Sequence, residues 1–366
     1  MKKRILMVFD KGLGRGGVES VIMSIVRNLS DTYTFDLLTN TNQTKDYDAE
    51  FISYGGKIFK IPFYEGKIRF LRRADYYIRG AYFYIKCLMF FRKNKEYEII
   101  HCHNSTEGGI VLSAAKRAGI PVRIMHSHAT FVANKGIRNI ITSYYRRLIT
   151  KNATHTVGCS KVVLGLFENE EKCKIIYNAY DDKRFCGAKA GDVSADNFKM
   201  IQVGRYDEIK NQVFSIGVLK ELLTYIPNAT LDLVGSNDQE SELRLKNSAK
   251  ELGVLDNITF NKAESDIPKL LSEANVFLFP SQYEGFGIAL IEAQAMGLKC
   301  YASSAVPTVT NCGAVEYMPL SIGEKEWAKK IAEDYRNGLC DKKNYDCTAF
   351  STKKIMLEYE SLYRGD

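Results

Sequence analysis

The sequence contains no C-x-x-C pair and no apolar run long enough to cross a bilayer. Its nine cysteines, an odd number, are scattered, which argues against a disulfide framework or a zinc ribbon and favours a reducing compartment. The apolar run at residues 5–9 meets Asp10 and Lys11, so it is too short for a signal peptide and typical of a buried parallel strand. We therefore expect a soluble, cytoplasmic protein.

Neither disorder nor fibrous structure fits the composition, which is 45% hydrophobic and 26% charged. A chain of 366 residues can bury two ordinary cores, so two domains are expected. The formal net charge of +8 suits an anionic partner. It does not choose among a phosphate-bearing substrate, an acidic membrane surface and nucleic acid.

Short apolar strands alternate with amphipathic helices along the chain, which is the pattern of a parallel sheet covered on both faces. The predicted strands cover residues 4–9, 35–38, 98–100 and 122–125 and, beyond a small polar stretch at 186–196, residues 200–203, 229–234, 258–260 and 276–279. The two halves share this layout without repeated sequence. We therefore predict two related α/β domains with a linker in the polar stretch.

The strongest local signal follows the last of these strands. It reads Tyr283-Glu284-Gly285-Phe286-Gly287-Ile288-Ala289-Leu290-Ile291-Glu292. Gly285 and Gly287 let backbone amides approach a ligand, and a helix beginning near Ile288 would direct its positive end at a phosphate. In the first helical turn Glu292 can accept hydrogen bonds from ribose hydroxyls, while Glu284 can hold sugar hydroxyls. The alternative is that Glu292 only interacts favourably with the helix dipole.

Two cations, Arg205 and Lys210, follow the strand that ends at Val203. Open α/β sheets bind ligands beyond the carboxyl ends of their strands, so this pair could clamp a diphosphate and neutralise charge that develops on it. The alternative is a solvated basic loop.

A glycine-rich segment, Gly12-Leu13-Gly14-Arg15-Gly16-Gly17, lies between the first strand and its helix. It satisfies G-x-G-x-x-G, so an NAD-dependent oxidoreductase has to be considered. That class needs an acidic residue at the end of the second strand, whereas Asp36 lies inside the strand. The glycines therefore predict close approach of an anionic ligand without specifying it.

Two H-x-H pairs, His101 with His103 and His126 with His128, lie near strand ends, and strand alternation puts both members of a pair on one face. Four such histidines could ligate a metal, but no carboxylate or cysteine stands at a supporting spacing. A hydrogen-bonding role is favoured, with at least one histidine of each pair buried in the core. No metal site is predicted.

The stretch at residues 67–95 is basic and rich in aromatic residues, with Asp75 as its one acid. Its cations include Arg72, Arg73, Arg79 and Lys86. Such a helix suits an anionic bilayer surface or a lipid diphosphate acceptor. The alternative is an ordinary domain helix with a buried aromatic face and a solvated basic face.

Together these motifs resemble glycosyltransferase family 4, the retaining enzymes of GT-B architecture. The resemblance covers nearly the whole chain and depends on the order of Gly16-Gly17-Val18-Glu19, residues 176–185, Val203-Gly204-Arg205 with Lys210, and residues 284–297. It implies an α/β fold of two Rossmann-like domains facing each other across a cleft. Residues 1–179, with a crossover helix at 351–366, would bind the acceptor, and residues 180–350 would bind a nucleotide sugar.

The resemblance also implies roles for individual residues. It assigns the nucleotide-sugar donor to Gly16, Gly17, Arg205, Lys210, Gly285, Phe286, Gly287, Ile288 and Glu292. Glu284 and either His128 or His126 would contact the transferred sugar. The family works without a metal or other cofactor, and the donor phosphate helps to take the acceptor proton. Asp46-Tyr47-Asp48 resembles the metal-binding D-x-D pair of another glycosyltransferase class, but its place in a polar run predicts a surface loop.

The His126-Ser127-His128 variant is similar to bacterial enzymes that build exopolysaccharide or capsule repeats on a polyprenyl diphosphate. This similarity implies a sugar donor linked to UDP, a glycan or lipid-linked acceptor, peripheral attachment to the inner face of the membrane, and no nucleic acid. Departures from the family pattern at Ala179, Asn237 and Asn261 leave the nucleotide base open. The alternatives are a nucleotide-sugar 2-epimerase of the same architecture, the oxidoreductase, and a non-catalytic binding module.

Overall fold

The computed structural model describes residues 2–62, 72–104, 106–129, 137–186, 198–235, 239–262 and 265–365, of which 72–77 and 137–141 are described by their backbone alone. The chain forms two compact units. The first unit comprises Met1–Asn178 and Ile355–Asp366, and the second comprises Ala179–Lys354. The polar linker predicted at 186–196 lies almost wholly outside the described residues.

A parallel sheet of seven strands forms the centre of the first unit, in the order β3-β2-β1-β4-β5-β6-β7. The strands are β1 (Lys3–Val8), β2 (Tyr33–Thr39), β3 (Ile58–Lys60), β4 (Tyr97–Cys102), β5 (Val122–Ser127), β6 (His155–Gly158) and β7 (Lys174–Ile175). The helices are α1 (Gly17–Leu29), α2 (Asp48–Ser53), α3 (Arg72–Lys93), α4 (Gly108–Arg117) and α5 (Ile137–Asn152). β1 is buried over its last four residues because helices cover both faces of the sheet.

The second unit repeats the same plan with a sheet in the order β10-β9-β8-β11-β12-β13. Its strands are β8 (Lys199–Val203), β9 (Thr230–Val234), β10 (Ile258–Asn261), β11 (Val276–Phe279), β12 (Lys299–Ser303) and β13 (Val315–Met318). Its helices are α6 (Gln212–Leu222), α7 (Gln239–Glu251), α8 (Ile267–Glu273), α9 (Ile288–Ala295) and α10 (Gly323–Arg336). Both sheets therefore follow the Rossmann order, in which the first strand of the unit lies beside the second on one side and the fourth on the other.

The single tryptophan fixes one wall of the second core. Trp327 on α10 is fully buried, its ring meets Phe214 of α6 edge-on at 5.1 Å, and its indole N–H donates to the Pro319 carbonyl at 3.2 Å. A buried indole needs such an acceptor.

The last helix, α11 (Thr352–Arg364), begins in the second unit and continues into the first. In the first unit Tyr359 and Tyr363 are buried, and the Tyr363 ring packs edge-on against Tyr33 of β2 at 5.4 Å. The C-terminal helix thus contributes to the core of the first unit. Within the described part of the chain, no helix combines the length and apolar character that a bilayer crossing requires.

Candidate functional site

The loop after β8, residues 204–211, is held in one conformation by buried amide side chains. Gln202 donates to the Lys210 carbonyl at 2.7 Å, and Gln212 donates to the Arg205 carbonyl at 2.8 Å. The Lys210 amide donates to Asp207 at 2.9 Å. Sequence analysis missed the two glutamines, whose role depends on contacts that no motif encodes. They fix the backbone from which both predicted phosphate-binding cations project.

A second loop, residues 280–287 after β11, lies against the first. The Gln282 backbone N–H donates to the Ile209 carbonyl at 2.8 Å, and the Asn211 side chain donates to the Pro280 carbonyl at 3.2 Å. Asn211 adopts a left-handed conformation, with φ 56°, where α6 begins. The adjacency of β8 and β11 brings the two loops together.

Lys210 and Glu284, predicted to hold different parts of one donor, contact each other across these loops. The Lys210 ammonium lies 2.5 Å from a Glu284 carboxylate oxygen, with only 19% and 11% of the two side chains exposed. The ammonium also lies 5.1 Å from the centre of the Phe279 ring, within cation–π range. The cation is therefore preorganised at the carboxyl ends of β8 and β11.

Arg205 is placed differently. Its side chain is 66% exposed and lies 3.4 Å from the Asp207 carboxylate. An exposed ion pair of this kind is weak, so the guanidinium can turn toward a ligand at little cost.

Gly287 makes the turn into α9 possible. Its φ of 99° lies in the left-handed region, and a Cβ there would come within 3.3 Å of the Phe279 ring. Phe286 is buried and meets Phe350 edge-on at 5.7 Å. The helix begins at Ile288, as predicted, and its N-terminal end follows directly on the Gly285-Phe286-Gly287 turn.

The placement of Glu292 in the first helical turn was wrong. Because α9 begins at Ile288, Glu292 is its fifth residue and lies in the second turn, and no acidic residue occupies the first. The dipole interaction falls off within one turn, so it does not account for this carboxylate. Burial raises the pKa of Glu292 to about 7, and the nearby Arg184 cation opposes the rise. Arg184, which no sequence motif indicated, thus lies close enough for its charge to act on Glu292, and the Asp181 carboxylate acts in the opposite direction.

In the first unit, the glycine-rich loop after β1 leads into α1, with Gly16 at the N-cap. A Cβ at Gly16 would collide with the Glu19 carboxylate, whereas Gly17 faces open space. The Asp10 amide at the start of this loop donates to the Asn104 side chain at 2.9 Å. Asn104 follows β4, so the loops after β1 and β4 are joined as those after β8 and β11 are.

The four histidines of the two H-x-H pairs form one cluster, named here the histidine cluster: His101, His103, His126 and His128. His101 Nε2 lies 3.2 Å from His126 Nδ1, and His103 Nδ1 lies 2.8 Å from His128 Nε2. His101 Nδ1 lies 2.8 Å from the Tyr363 hydroxyl of α11. Because β4 pairs with β5, the histidine pair at the end of β4 contacts the histidine pair at the end of β5.

Burial keeps the histidine cluster neutral. His101 and His126 are fully buried and His103 nearly so, and desolvation holds the pKa of all three well below the usual range. The same cause lowers the pKa of His128 to about 3, although part of that residue stays exposed. The expectation that at least one histidine of each pair is buried is confirmed, and within the cluster only His128 retains appreciable exposure.

Two weaker sequence signals have structural explanations. Asp36 is fully buried and accepts hydrogen bonds at 2.7 Å from Arg4, from the Tyr97 hydroxyl and from the Lys57 amide. It is a structural carboxylate and not a ribose ligand. In the D-x-D segment, Asp46 faces Arg15 at 3.9 Å, whereas Asp48 is buried and accepts from the Lys45 amide at 3.0 Å. The surface position predicted for this segment is therefore confirmed for Asp46 and wrong for Asp48.

Helix α3 has two different faces. Phe83, Cys87 and Phe91 are buried in the core, as the domain-helix alternative predicts. The opposite face exposes a row of apolar side chains at helical spacing: Ile78, Tyr82, Ile85 and Met89. Of the basic residues predicted to bind acceptor or membrane, Lys86 is exposed beside this row and Arg79 is half-buried. The side chains of Arg72 and Arg73 lie outside the described residues.

Comparisons with known proteins agree with this architecture. Residues 15–184 match the family model of glycosyltransferase family 4, and residues 189–311 match that of glycosyl transferases group 1. The chain is 29% identical over 354 residues to a putative glycosyltransferase, EpsF, of Bacillus subtilis, covering 90% of this chain and 87% of that protein. A UDP-Gal:alpha-D-GlcNAc-diphosphoundecaprenol alpha-1,3-galactosyltransferase of Escherichia coli is 25% identical over 229 residues, covering 58% and 59%.

Among solved structures, the Anabaena protein Alr3699/HepE, crystallised with UDP and glucose, superposes with a TM-score of 0.78 at 17% identity over the full length of both chains. That likeness shows the fold, and the two family models cover the two units in chain order. The chain therefore belongs to glycosyltransferase family 4, is a glycosyltransferase, and has the α/β GT-B fold of two Rossmann-like domains.

Proposed function

We propose that the protein transfers a sugar from a UDP-sugar, with retention of configuration and without a metal ion, to a glycan carried on a polyprenyl diphosphate. The observation that carries this proposal is the meeting of Lys210 and Glu284 at the carboxyl ends of β8 and β11, beside the N-terminal end of α9. A cation, a carboxylate and helix-end amides are the groups that a sugar diphosphate requires at one place.

The diphosphate would be held by positive groups already in position. The Lys210 ammonium has three N–H donors and would exchange its contact with Glu284 for phosphate oxygens. Arg205 is exposed and weakly paired, and it would swing onto the same diphosphate. These charges would stabilise the leaving group as the glycosidic bond breaks, which removes the need for a metal.

Two carboxylates would orient the rest of the donor. Glu284 would accept hydrogen bonds from the sugar hydroxyls once the phosphate draws Lys210 away. Glu292, close to the Arg184 charge, would accept from the ribose hydroxyls. The amides of Phe286 and Gly287 would face the sugar or phosphate, because the left-handed turn at Gly287 leads directly into α9.

The proposed donor, acceptor and stereochemistry are supported by other observations than the geometry of the site. The Escherichia coli relative is named for UDP-galactose and a lipid diphosphate acceptor, and the Anabaena structure contains UDP. The family resemblance supports retention, with a donor phosphate oxygen taking the acceptor proton. Of the two histidines that could touch the sugar, we favour His128 because it keeps solvent exposure, whereas His126 is fully buried.

The exposed face of α3 supports peripheral attachment to an anionic bilayer. Ile85 and Met89 are 54% and 61% exposed, and Lys86, Arg92 and Lys93 are exposed nearby. An apolar row flanked by lysine and arginine can insert into the interface while its cations meet lipid phosphates.

The proposal is tested by a transfer assay with UDP-galactose, UDP-glucose, UDP-N-acetylglucosamine and GDP-mannose, each with a synthetic polyprenyl diphosphate glycan in EDTA. We expect one UDP-sugar to react and the product to keep the anomeric configuration on NMR. Lys210→Met should abolish transfer, whereas the matched change at an exposed lysine of α6, Lys220→Met, should not. Activity that needs added Mn²⁺ or Mg²⁺ would contradict the metal-free mechanism, and conversion of the UDP-sugar without acceptor would indicate an epimerase.

Membrane attachment is tested by sedimentation with vesicles. We expect binding to vesicles rich in phosphatidylglycerol and not to neutral phosphatidylcholine. Met89→Glu should weaken this binding at least about tenfold, since it places a carboxylate in the apolar row. Leu243→Glu, at an equally exposed leucine of the second unit, is the matched control and should leave binding unchanged. Equal loss in both variants would show that the α3 face is not the attachment surface.

A further inference from the structure

The histidine cluster contains more ring nitrogens than the proposed transfer reaction uses. Four of the five histidines in the chain meet there, and the proposed function requires one of them at most. Among the described residues, His103 Nε2, His126 Nε2 and His128 Nδ1 are buried without a hydrogen-bond partner. Buried polar atoms without partners are costly and need a physical explanation, and the ion proposed here would account for the His103 nitrogen among them.

We propose that His101, His103 and His126 form a binding site for a transition-metal ion that prefers nitrogen ligands, Zn²⁺ or Co²⁺. One nitrogen of each of the three histidines lies within 4.8 Å of those of the other two, and all three side chains are buried. The site lies at the ends of β4 and β5, with His101 and His103 from one strand end and His126 from the other.

The distances suit such an ion. Zinc binds histidine nitrogen at about 2.0–2.1 Å, so two ligands of a tetrahedral ion lie about 3.3 Å apart. His101 Nε2 and His126 Nδ1 are already 3.2 Å apart, so an ion could take the place of the proton between them, with the His126 ring then carrying its proton on Nε2. A shift of roughly 1.5 Å would bring a His103 nitrogen to the same spacing.

The surroundings already contain the outer partner that metal-binding histidines use. With an ion on His101 Nε2, His101 Nδ1 carries the proton and donates it to the Tyr363 hydroxyl at 2.8 Å. That contact fixes the tautomer and the ring orientation, which is the usual function of an outer partner. Tyr363 itself is held by packing against Tyr33.

The ligand set also selects the type of ion. Within the part of the chain that the structure describes, no carboxylate or cysteine joins the three histidines as a ligand. Neutral imidazoles bind Zn²⁺, Co²⁺, Ni²⁺ and Cu²⁺, whereas Mg²⁺ and Ca²⁺ require oxygen. Burial keeps the imidazoles in the neutral form that binds metal. The partly exposed His128 and the His103 beside it mark the side from which an ion would enter.

The test is a cobalt titration of the full-length protein after EDTA treatment and dialysis. We expect one Co²⁺ per chain, a visible d–d band typical of nitrogen ligation, and no near-ultraviolet thiolate band. Tyr363→Phe keeps the buried ring and removes only the hydroxyl, so it should weaken cobalt binding by about 10–100-fold without unfolding the protein. His101→Asn should weaken it further.

The control is His155→Asn at the fifth histidine, which lies outside the cluster and hydrogen-bonds Thr154. Cobalt affinity should be unchanged in this variant, with the melting temperature measured for every protein. A thiolate band in the cobalt spectrum, loss of affinity in His155→Asn equal to that in Tyr363→Phe, or no cobalt bound by the unmodified protein would each overturn the proposal. Because binding is read from the spectrum, its outcome does not depend on which donor the enzyme uses.

Discussion

The contact between Lys210 and Glu284 allows the donor-site proposal to be tested without knowing the sugar or the acceptor. Lys210→Met keeps most of the aliphatic stem and removes the charge, and Glu284→Gln keeps the shape of the side chain. Each single change leaves one charged group largely buried and without its partner. The double variant removes both charges, so the four proteins form a thermodynamic cycle.

The expected stability loss follows from burial. Removing one partner of a fully buried ion pair costs about 3–5 kcal/mol, and an exposed pair contributes about 0–1 kcal/mol. With 19% and 11% of the side chains exposed, this pair lies between those limits, and we expect each single variant to lose about 2 kcal/mol. In the second unit this corresponds to a melting temperature lower by about 4–8 °C. The double variant should lose less than the sum of the single losses, with a coupling energy of about 1–2 kcal/mol.

UDP binding should separate the two residues. Isothermal titration should show UDP affinity reduced by about 2 kcal/mol in Lys210→Met, because a charge-assisted hydrogen bond to phosphate is lost. Glu284→Gln should bind UDP at least as tightly as the unmodified protein, since Lys210 no longer has a competing carboxylate. The same variant should lose transfer activity, because Glu284 acts on the sugar. Additive stability losses, or equal loss of UDP affinity in both single variants, would refute this account.

Three further changes test other parts of the two units. Because the pKa of Glu292 is raised from its ordinary value near 4.5 to about 7, the native state holds the proton longer than the unfolded chain. Stability should therefore fall as pH rises from about 4.5 to 7, by at most about 3 kcal/mol, and a pH series of urea unfolding should show this slope disappear in Glu292→Gln. Gln212→Leu should lower kcat/KM about tenfold with a smaller change in melting temperature, since it frees the Arg205 carbonyl and loosens the loop that carries the cations. Asp36→Ala should destabilise the first unit by about 3–5 kcal/mol in urea unfolding, because it leaves Arg4 and the Tyr97 hydroxyl unpaired. No slope for Glu292, normal turnover for Gln212→Leu, or a neutral Asp36→Ala would each contradict the corresponding assignment.

Sequence patterns predicted β1, β2, β4, β5 and β8 to β11, whereas the short strands β3 and β6 were missed. β1 and β11 each contain a run of four buried apolar residues, and both were located to within one residue. β12 and β13 were missed because their sequences, KCYAS and VEYM, contain small or charged residues and are stabilised by neighbouring strands. The two-residue β7 gives no periodic signal at all. Pairing in the sheet, which no local pattern contains, decides these cases.

The candidate site, like the strands, was predicted only in part. The motif at residues 283–292 and the cations after β8 were recognisable because glycine, carboxylate and strand end occur in a fixed order. The contact of Lys210 with Glu284 was not predicted, because it joins residues 74 positions apart and depends on β8 lying beside β11. The helix start near Ile288 was predicted correctly, but Glu292 is the fifth helical residue and was wrongly assigned to the first turn. Motif chemistry thus indicated which groups matter, and sheet topology decided which of them meet.

Sheet order gives a physical reason why both units concentrate polar contacts at one place. In a Rossmann sheet the chain leaves the first and fourth strands in opposite directions, so a crevice opens beyond their carboxyl ends. In the second unit those strands are β8 and β11, and in the first they are β1 and β4. Lys210 and Glu284 bridge the loops at the crevice of the second unit, and Asp10 and Asn104 bridge the loops at the crevice of the first unit. The two bridges differ in charge, however. An ammonium held by a carboxylate can exchange that partner for a diphosphate, whereas an amide hydrogen-bonded to a side-chain carbonyl offers no charge to exchange. For this reason we propose that the anionic part of the donor binds at the second unit.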